Sequence, residues 1–205
     1  MTRRLRHRLC EMIILYTVIM VAGGCVHGGG RTRYYVLAPT LDSGEASGPG
    51  LVEPAVGVGP IRLPGYLDRP QIAMHNGRDE VVLSEFDEWA EPLRDNLART
   101  IAENLSRLIP TERVAIFPWP APRDIQYQVL IDVIRFDRGA SGTVVLVARW
   151  RIADPAAREL AVRTSRLSET ARDPGPAATV AAMSGAAGAL SREIAAEIRR
   201  LCEGG

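Results

Sequence analysis

The sequence contains no lysine, and all 25 of its basic residues are arginine. A Walker-type nucleotide site uses a lysine to contact the phosphates, so this kind of ATP site is excluded. The formal net charge is only +1, which gives no electrostatic reason to expect a nucleic-acid partner. The absence of lysine and of a strong net charge therefore argues against two large functional classes.

Histidine and cysteine are also scarce, with three residues of each. His7 and His27 lie near the N-terminus, so His75 is the only histidine left for a folded domain. We interpret His75 as an exposed residue in a hairpin turn rather than as a catalytic base. The cysteines lack the spacing of zinc ligands. The sequence thus predicts no metal site, no cofactor and no enzymatic activity; an anchored hydrolase with a hidden site is the alternative.

The N-terminal region begins with several arginines, and an uncharged apolar stretch follows at residues 12–21. As a helix this stretch would span about 15 Å, against roughly 30 Å for the hydrocarbon core of a bilayer. It is too short for a membrane span and is typical of the apolar region of a secretion signal. We therefore predict that residues 1–24 are a cleaved signal peptide.

The end of this signal carries a lipidation pattern. Ala22, Gly23 and Gly24 precede Cys25 and resemble the lipobox of bacterial lipoproteins, which predicts that Cys25 is the lipidated first residue of the mature chain. Two or three acyl chains give a stable membrane anchor. Position 26 is valine, not the aspartate that in this pattern retains a lipoprotein in the inner membrane. We therefore expect an outer-membrane anchor and a domain that faces the periplasm.

The rest of the chain is interpreted as a lipidated cysteine with a flexible tether at residues 25–33, followed by one domain at residues 34–205. Hydrophobic residues make up 46% of the sequence, which is enough for a real core. Apolar side chains recur every three to four positions between Pro92 and Pro110, and again at residues 177–201, which predicts two amphipathic helices. In the first helix we expect Asp95–Arg99 and Glu103–Arg107 ion pairs.

Alternating apolar residues predict several strands, the longest at residues 125–137, which returns as residues 143–153 and 159–168. In the longest strand we place Val133 on one face and Ile134 and Phe136 on the other, with partial burial on both sides. Earlier strands are predicted at residues 56–62, 71–74 and 80–84. Two helices and this set of strands predict an α+β two-layer sandwich, with a mostly antiparallel or mixed sheet and both helices on one face.

Several segments together resemble one family. They are residues 34–37, the run Leu-Pro-Gly-Tyr-Leu-Asp-Arg-Pro-Gln at 63–71, the Trp-Ala-Glu-Pro-Leu run at 89–93, Phe-Pro-Trp at 117–119 and Ala-Arg-Trp at 148–150. In order and spacing they resemble the PqiC-like family of ABC-type transport auxiliary lipoproteins. The sequence departs from that pattern at Glu88, where arginine is expected, and at residues 156–158, where a glycine-containing turn is expected.

This resemblance implies an outer-membrane partner of transporters built on mammalian-cell-entry (MCE) domain proteins, which move lipids across the periplasm. The chain would then be a binding or assembly subunit that contacts an MCE-domain periplasmic protein. It would be neither the ATPase nor the channel. A structural assembly lipoprotein for an outer-membrane protein or a surface polymer is the second alternative, besides the hydrolase.

The segment 63–70 is the candidate contact surface. Two prolines stiffen it, and Gly65 permits a tight turn, so it should hold a defined shape and lose little entropy on binding. The hypothesis is that Tyr66, Leu67 and Arg69 contact the MCE-type partner or a neighbouring copy in a homo-oligomer. The alternative to partner contact is a structural role for this segment, in which Leu63 and Leu67 pack under the sheet and Arg69 forms an ion pair with a nearby acidic residue.

Overall fold

The computed structural model describes residues 30–40, 54–77, 79–109, 111–119 and 121–204. The predicted signal peptide and Cys25 lie outside these residues. The fold is that of the compact unit Thr32–Gly205. Within the described ranges, no helix has the length and apolar character needed to cross a membrane.

In the described part of the chain, eight strands and two long helices form the fold. In chain order they are β1 (Arg33–Tyr35), β2 (Val56–Arg62), β3 (Gln71–Asn76), β4 (Glu80–Trp89), α1 (Leu93–Leu108), β5 (Val114–Ile116), β6 (Tyr127–Arg138), β7 (Thr143–Ala153), β8 (Glu159–Thr170) and α2 (Pro176–Glu203). A short 3-10 turn, Pro122–Asp124, precedes β6.

The strands form one open, mixed sheet, and both helices pack on the same face of it. β6, β7 and β8 are antiparallel neighbours, as expected for strands joined by short turns. β2 pairs in parallel with both β5 and β6. The α+β two-layer architecture predicted from the sequence is confirmed.

The sheet has two parts, which we call the main sheet and the side sheet. The main sheet has the order β5-β2-β6-β7-β8, and the side sheet has the order β1-β4-β3. A single residue pair, Met74 with Arg138, links β3 to β6. The β3–β4 hairpin is therefore joined to the main sheet by very little backbone pairing.

The interior strand β6 changes faces along its length. Its register with β7 shifts between Val133 and Arg135, so Ile134 occupies a bulge and is 57% exposed. Phe136 then lies on the helix side, opposite Leu146, and is fully buried. The prediction that Ile134 and Phe136 share a face is wrong, because a bulge adds one residue and reverses the alternation that follows it.

Helix α1 buries the apolar stripe that its sequence predicts. The buried members are Leu93, Leu97, Ile101, Leu105 and Leu108. The predicted Glu103–Arg107 pair is present, with Arg107 Nη2 2.7 Å from Glu103 Oε1. Arg99, however, pairs with Glu91, which precedes the helix, rather than with Asp95.

The segment after β1, residues 36–40, runs along the seam between the two helices, and we call it the strap. The Leu37 N–H donates to Asn96 Oδ1 at 2.6 Å, and Asn96 Nδ2 donates to the Leu37 carbonyl at 3.4 Å. From α2, Ser184 Oγ accepts from the Ala38 N–H at 3.1 Å. A Cβ on Gly188 would clash with Thr40 Oγ1. The small residues of α2 therefore make room for the strap.

The turn between β7 and β8 has an alanine in a conformation that favours glycine. Ala157 has φ of 62°, in the left-handed region that favours glycine. Asp154 Oδ1 accepts the N–H groups of Ala156 and Arg158, both at 2.9 Å. These hydrogen bonds hold the turn, and the bond from the Arg158 N–H is the main reason that the pKa of Asp154 lies below its usual value.

Candidate functional site

The 63–70 loop connects β2 to β3 and is folded back on itself. The Leu67 N–H donates to the Pro64 carbonyl at 2.9 Å, which closes a tight turn around exposed Gly65. Leu67 is only 2% exposed and belongs to the hydrophobic core. Leu63 is half-buried and packs against that core. The base of the loop is thus held by apolar packing.

Tyr66 points back toward the main sheet and meets a buried carboxylate. Its hydroxyl donates to Asp137 Oδ2 at 2.7 Å, and the side chain of Asp137 is 0% exposed. Arg135 Nε donates to Asp137 Oδ1 at 3.0 Å. His75 completes the group, because its Nδ1 lies 2.9 Å from the same Oδ1. We call these four residues the Asp137 cluster.

The position of His75 differs from the prediction. It lies within β3, not in the turn, and its side chain is 17% exposed. Its ring packs edge-on against Tyr66, with ring centroids 5.6 Å apart. Although the two atoms are close, His75 Nδ1 is buried and makes no hydrogen bond of acceptable geometry. The sequence suggested a turn because Asn76 and Gly77 follow, but pairing of β3 with β4 extends the strand through Asn76.

The electrostatics of the cluster keep the Tyr66 phenol neutral. Burial raises the pKa of Tyr66 well above its usual value of 10, and the hydrogen bond to Asp137 raises it further. A phenol held neutral in this way is a poor nucleophile. Arg135 offsets the buried charge of Asp137, as a buried carboxylate requires. The arrangement is suited to fixing the loop in place.

Arg69 points outward, at the rim of an apolar slot of about 310 Å³. The slot is lined by Asp68, Arg69, Pro70, Trp89, Glu91 and Pro92. Its walls are connected by backbone hydrogen bonding, since the Trp89 N–H donates to the Pro70 carbonyl at 2.7 Å. Slots of this kind can accept one large side chain of a partner.

A larger groove of about 580 Å³ begins on the other side of Glu91. Its apolar surface includes Pro60, Ile61 and Phe117, and α1 contributes Arg94 and Arg99. The slot and the groove therefore meet at the start of α1. Among the described residues, no group of three or more His, Cys, Asp or Glu side chains is placed to hold a metal ion.

The three loop residues chosen from the sequence thus have different surroundings. Tyr66 is half-buried on Asp137, Leu67 is in the core, and only Arg69 is fully available at the surface. Sequence reasoning did not identify Asp137, Arg135 or Trp89 as parts of the site. A charged residue next to Phe136 near the end of a long strand was the available signal for Asp137. Cys25 lies outside the described residues.

The chain is similar in sequence to a described protein family and to named proteins. The sequence model of a family described as "ABC-type transport auxiliary lipoprotein component" matches residues 35–195. The chain is also similar to proteins named intermembrane transport lipoprotein PqiC from Escherichia coli (strain K12) and Shigella flexneri. Each is 26% identical over 178 residues, which covers 87% of this chain and 92% of the relative.

Solved structures share the fold. A crystal structure of an uncharacterised protein matches with a TM-score of 0.66 and 21% identity, covering 82% of this chain and 99% of that one. A protein from Xanthomonas campestris matches with a TM-score of 0.63 and 21% identity, covering 80% of this chain and 92% of that one.

Proposed function

Because the chain belongs to the family of ABC-type transport auxiliary lipoprotein components, we propose that it is the outer-membrane-anchored lipoprotein of an MCE-type lipid transport system. The observation that carries the proposal is the family match, which runs from β1 into α2. Similarity to proteins named intermembrane transport lipoprotein supports a role in transport between membranes.

In this role the chain is a binding and assembly subunit and not an enzyme. In the Asp137 cluster, the Tyr66 hydroxyl and the Arg135 guanidinium both donate to the carboxylate. The accessible features are Arg69 and the apolar slot next to Trp89. Arginine beside an apolar pocket is a common composition at interface hot spots. The partner is an MCE-domain periplasmic protein of the same transporter.

The partner is tested by co-purification from membranes. Detergent-solubilised wild-type protein should bring down an MCE-domain protein, identified by mass spectrometry. Arg69→Glu should abolish this recovery while the thermal midpoint stays within a few degrees, because the side chain is exposed. Arg166→Glu is the matched control, since Arg166 is also exposed but lies on β8, at the far edge of the main sheet.

Two results would count against this assignment. Recovery of β-barrel assembly or polymer-export proteins instead of an MCE-domain protein would favour the assembly-lipoprotein alternative. Parental recovery with Arg69→Glu would place the contact surface elsewhere on the domain.

The anchor is tested by substitution of the proposed lipidation site. Cys25→Ser should leave the domain folded but absent from the outer-membrane fraction, because it loses the acyl chains. Cys202→Ser is the control; Cys202 is the free cysteine among the described residues and lies 3.6 Å from the Tyr127 hydroxyl. It should fractionate like the parent. A Cys25→Ser protein that still sediments with outer membrane would show that the lipid is not the anchor.

A further inference from the structure

The attachment of the side sheet to the main sheet is unusually limited. β6 pairs with β7 along most of its length and with β2 along its first half. In contrast, β3 meets β6 only at Met74 and Arg138. One residue pair fixes neither the angle nor the register of a hairpin. Other interactions must hold the β3–β4 hairpin in position.

Apolar packing secures one end of this unit. Leu67, Ile72 and Trp89 are buried in the core, and they hold the base of the 63–70 loop and the start of β3. The other end, toward Asn76 and Glu80, has exposed Val81, Val82 and Leu83 and does not reach the core. The end of the hairpin near Met74 therefore depends on polar contacts.

The Asp137 cluster lies at this point. Asp137 immediately precedes Arg138, the residue of β6 that pairs with Met74, and His75 immediately follows Met74. The carboxylate accepts hydrogen bonds from Tyr66 of the loop and from Arg135 of its own strand. His75 of the hairpin lies 2.9 Å from it without a hydrogen bond and packs edge-on against the Tyr66 ring. The carboxylate is the group that these three elements have in common.

We propose that Asp137 is a positioning residue that holds the 63–70 loop and the β3–β4 hairpin in one fixed arrangement on the main sheet. The contact surface around Arg69 is then formed before a partner arrives. The functional part of this inference rests on the proposed function, in which that surface binds the transport partner. A surface that is already ordered loses less conformational entropy on binding.

The expected effect of losing Asp137 follows from the charge of its buried carboxylate. Removing its charge leaves the volume of the site unchanged but weakens hydrogen bonds from Tyr66 and Arg135, which are stronger when the acceptor is charged. The core contacts of Leu67 and Ile72 are untouched by that change. The loss should therefore appear as local opening of the hairpin and not as a general loss of stability.

Hydrogen–deuterium exchange on the full-length protein tests the positioning without any partner. In Asp137→Asn, amides of residues 74–76 and 80–86 should exchange about tenfold faster or more, as expected for the loss of a charge-assisted hydrogen bond. Amides of β7 should be unchanged. The control is Asp132→Asn on the same strand, where the carboxylate is 47% exposed and lies 3.8 Å from Arg62. It should leave the hairpin unaffected.

Unchanged exchange in the hairpin, or acceleration spread equally over β3, β4 and β7, would overturn the proposal. Tyr66→Phe provides a second variant, which keeps the ring and removes only the hydroxyl. It should accelerate the same amides, and should add little in the Asp137→Asn background because both changes break one interaction. If Asp137→Asn does not fold, Tyr66→Phe alone decides, and normal exchange in that variant would overturn the proposal.

Co-purification then separates this inference from the proposed function. Asp137→Asn should reduce recovery of the transport partner severalfold although Arg69 is intact. Faster hairpin exchange together with parental recovery would support the positioning role and overturn the assignment of this surface to partner binding. Normal exchange with lost recovery would overturn the positioning role and leave the contact surface in place.

Discussion

Tyr66 connects the 63–70 loop to the main sheet through a single hydroxyl group. Burial raises its pKa, and the hydrogen bond to Asp137 raises it further. Ionisation would place a second negative charge beside a carboxylate that has no access to water. The folded protein therefore favours the neutral phenol more strongly than the unfolded chain does.

This difference predicts a loss of stability at alkaline pH. The pKa of Tyr66 is higher in the folded state than the usual value of about 10, so the contribution is complete below about pH 10 and is lost as pH rises toward the folded-state pKa. Tyr66→Phe cannot titrate. The difference in free energy of unfolding between wild type and Tyr66→Phe, measured in urea, should therefore shrink above about pH 10.

Tyr127 also titrates in this range, because burial raises its pKa to about 12. It is present in both proteins, so its contribution cancels in the comparison. A difference between wild type and Tyr66→Phe that stays constant with pH would contradict the assigned hydrogen bond.

At this scale, sequence reasoning identified the loop but not what it contacts. Two prolines and Gly65 correctly indicated a shaped segment, and its turn is present. The partner of Tyr66 is 71 positions away in the chain. Asp137 also follows the bulge at Ile134, which changes the face that the strand presents. Neither long-range proximity nor a bulge leaves a periodic signal in one sequence.

Among the elements, α1 shows that helical periodicity predicts burial reliably when one face of the helix is exposed to solvent. Leu97 is fully buried, whereas Arg99 lies on the outer face with about half of its side chain exposed. The partner of Arg99 was predicted incorrectly because Glu91 lies before the helix, where helical spacing does not apply. The burial pattern depends only on the helix itself and was predicted well.

Two substitutions only two residues apart, at Leu97 and Arg99, test the orientation of α1. Leu97→Ala should lower the free energy of unfolding by roughly 2–5 kcal/mol, because it leaves a cavity in the core. Arg99→Ala should cost about 0.5 kcal/mol or less, since the ion pair with Glu91 is exposed. The measurement is the urea midpoint of each variant. Equal midpoints would mean that the helix presents another face to the sheet.

On the scale of the whole molecule, the hairpins were easier to predict than the complete sheet. The β6–β7–β8 meander follows chain order, and short turns specify its antiparallel pairing. The parallel pairing of β2 with β6, and the division into main and side sheets, join residues that are distant in sequence. Those pairings depend on contacts between distant parts of the chain, which alternation along one strand does not encode.

The strap unites the sheet edge and both helices, and this predicts a measurable effect of Asn96. Asn96→Ala would leave the Leu37 N–H buried without its acceptor, which should cost about 1–3 kcal/mol. Asn76→Ala is the control, because its hydrogen bond to Glu80 is exposed, and it should change stability by about 0.5 kcal/mol or less. Thermal unfolding of both variants compares them directly. Similar losses would contradict a structural role for the strap.

The route of the strap also has a mechanical consequence. A pull that reaches this domain from its N-terminal side is borne first by the three residues of β1, whose Arg33 Nε is 2.7 Å from Asp87 Oδ1. The load then passes to Leu37, which is seated between α1 and α2. The hairpin carries part of this load, because β1 pairs along its whole length with β4, and the two helices take what passes on through the strap. A force on the N-terminal side of the domain would therefore be felt at Trp89, which pairs with Tyr35 and lines the slot beside Arg69.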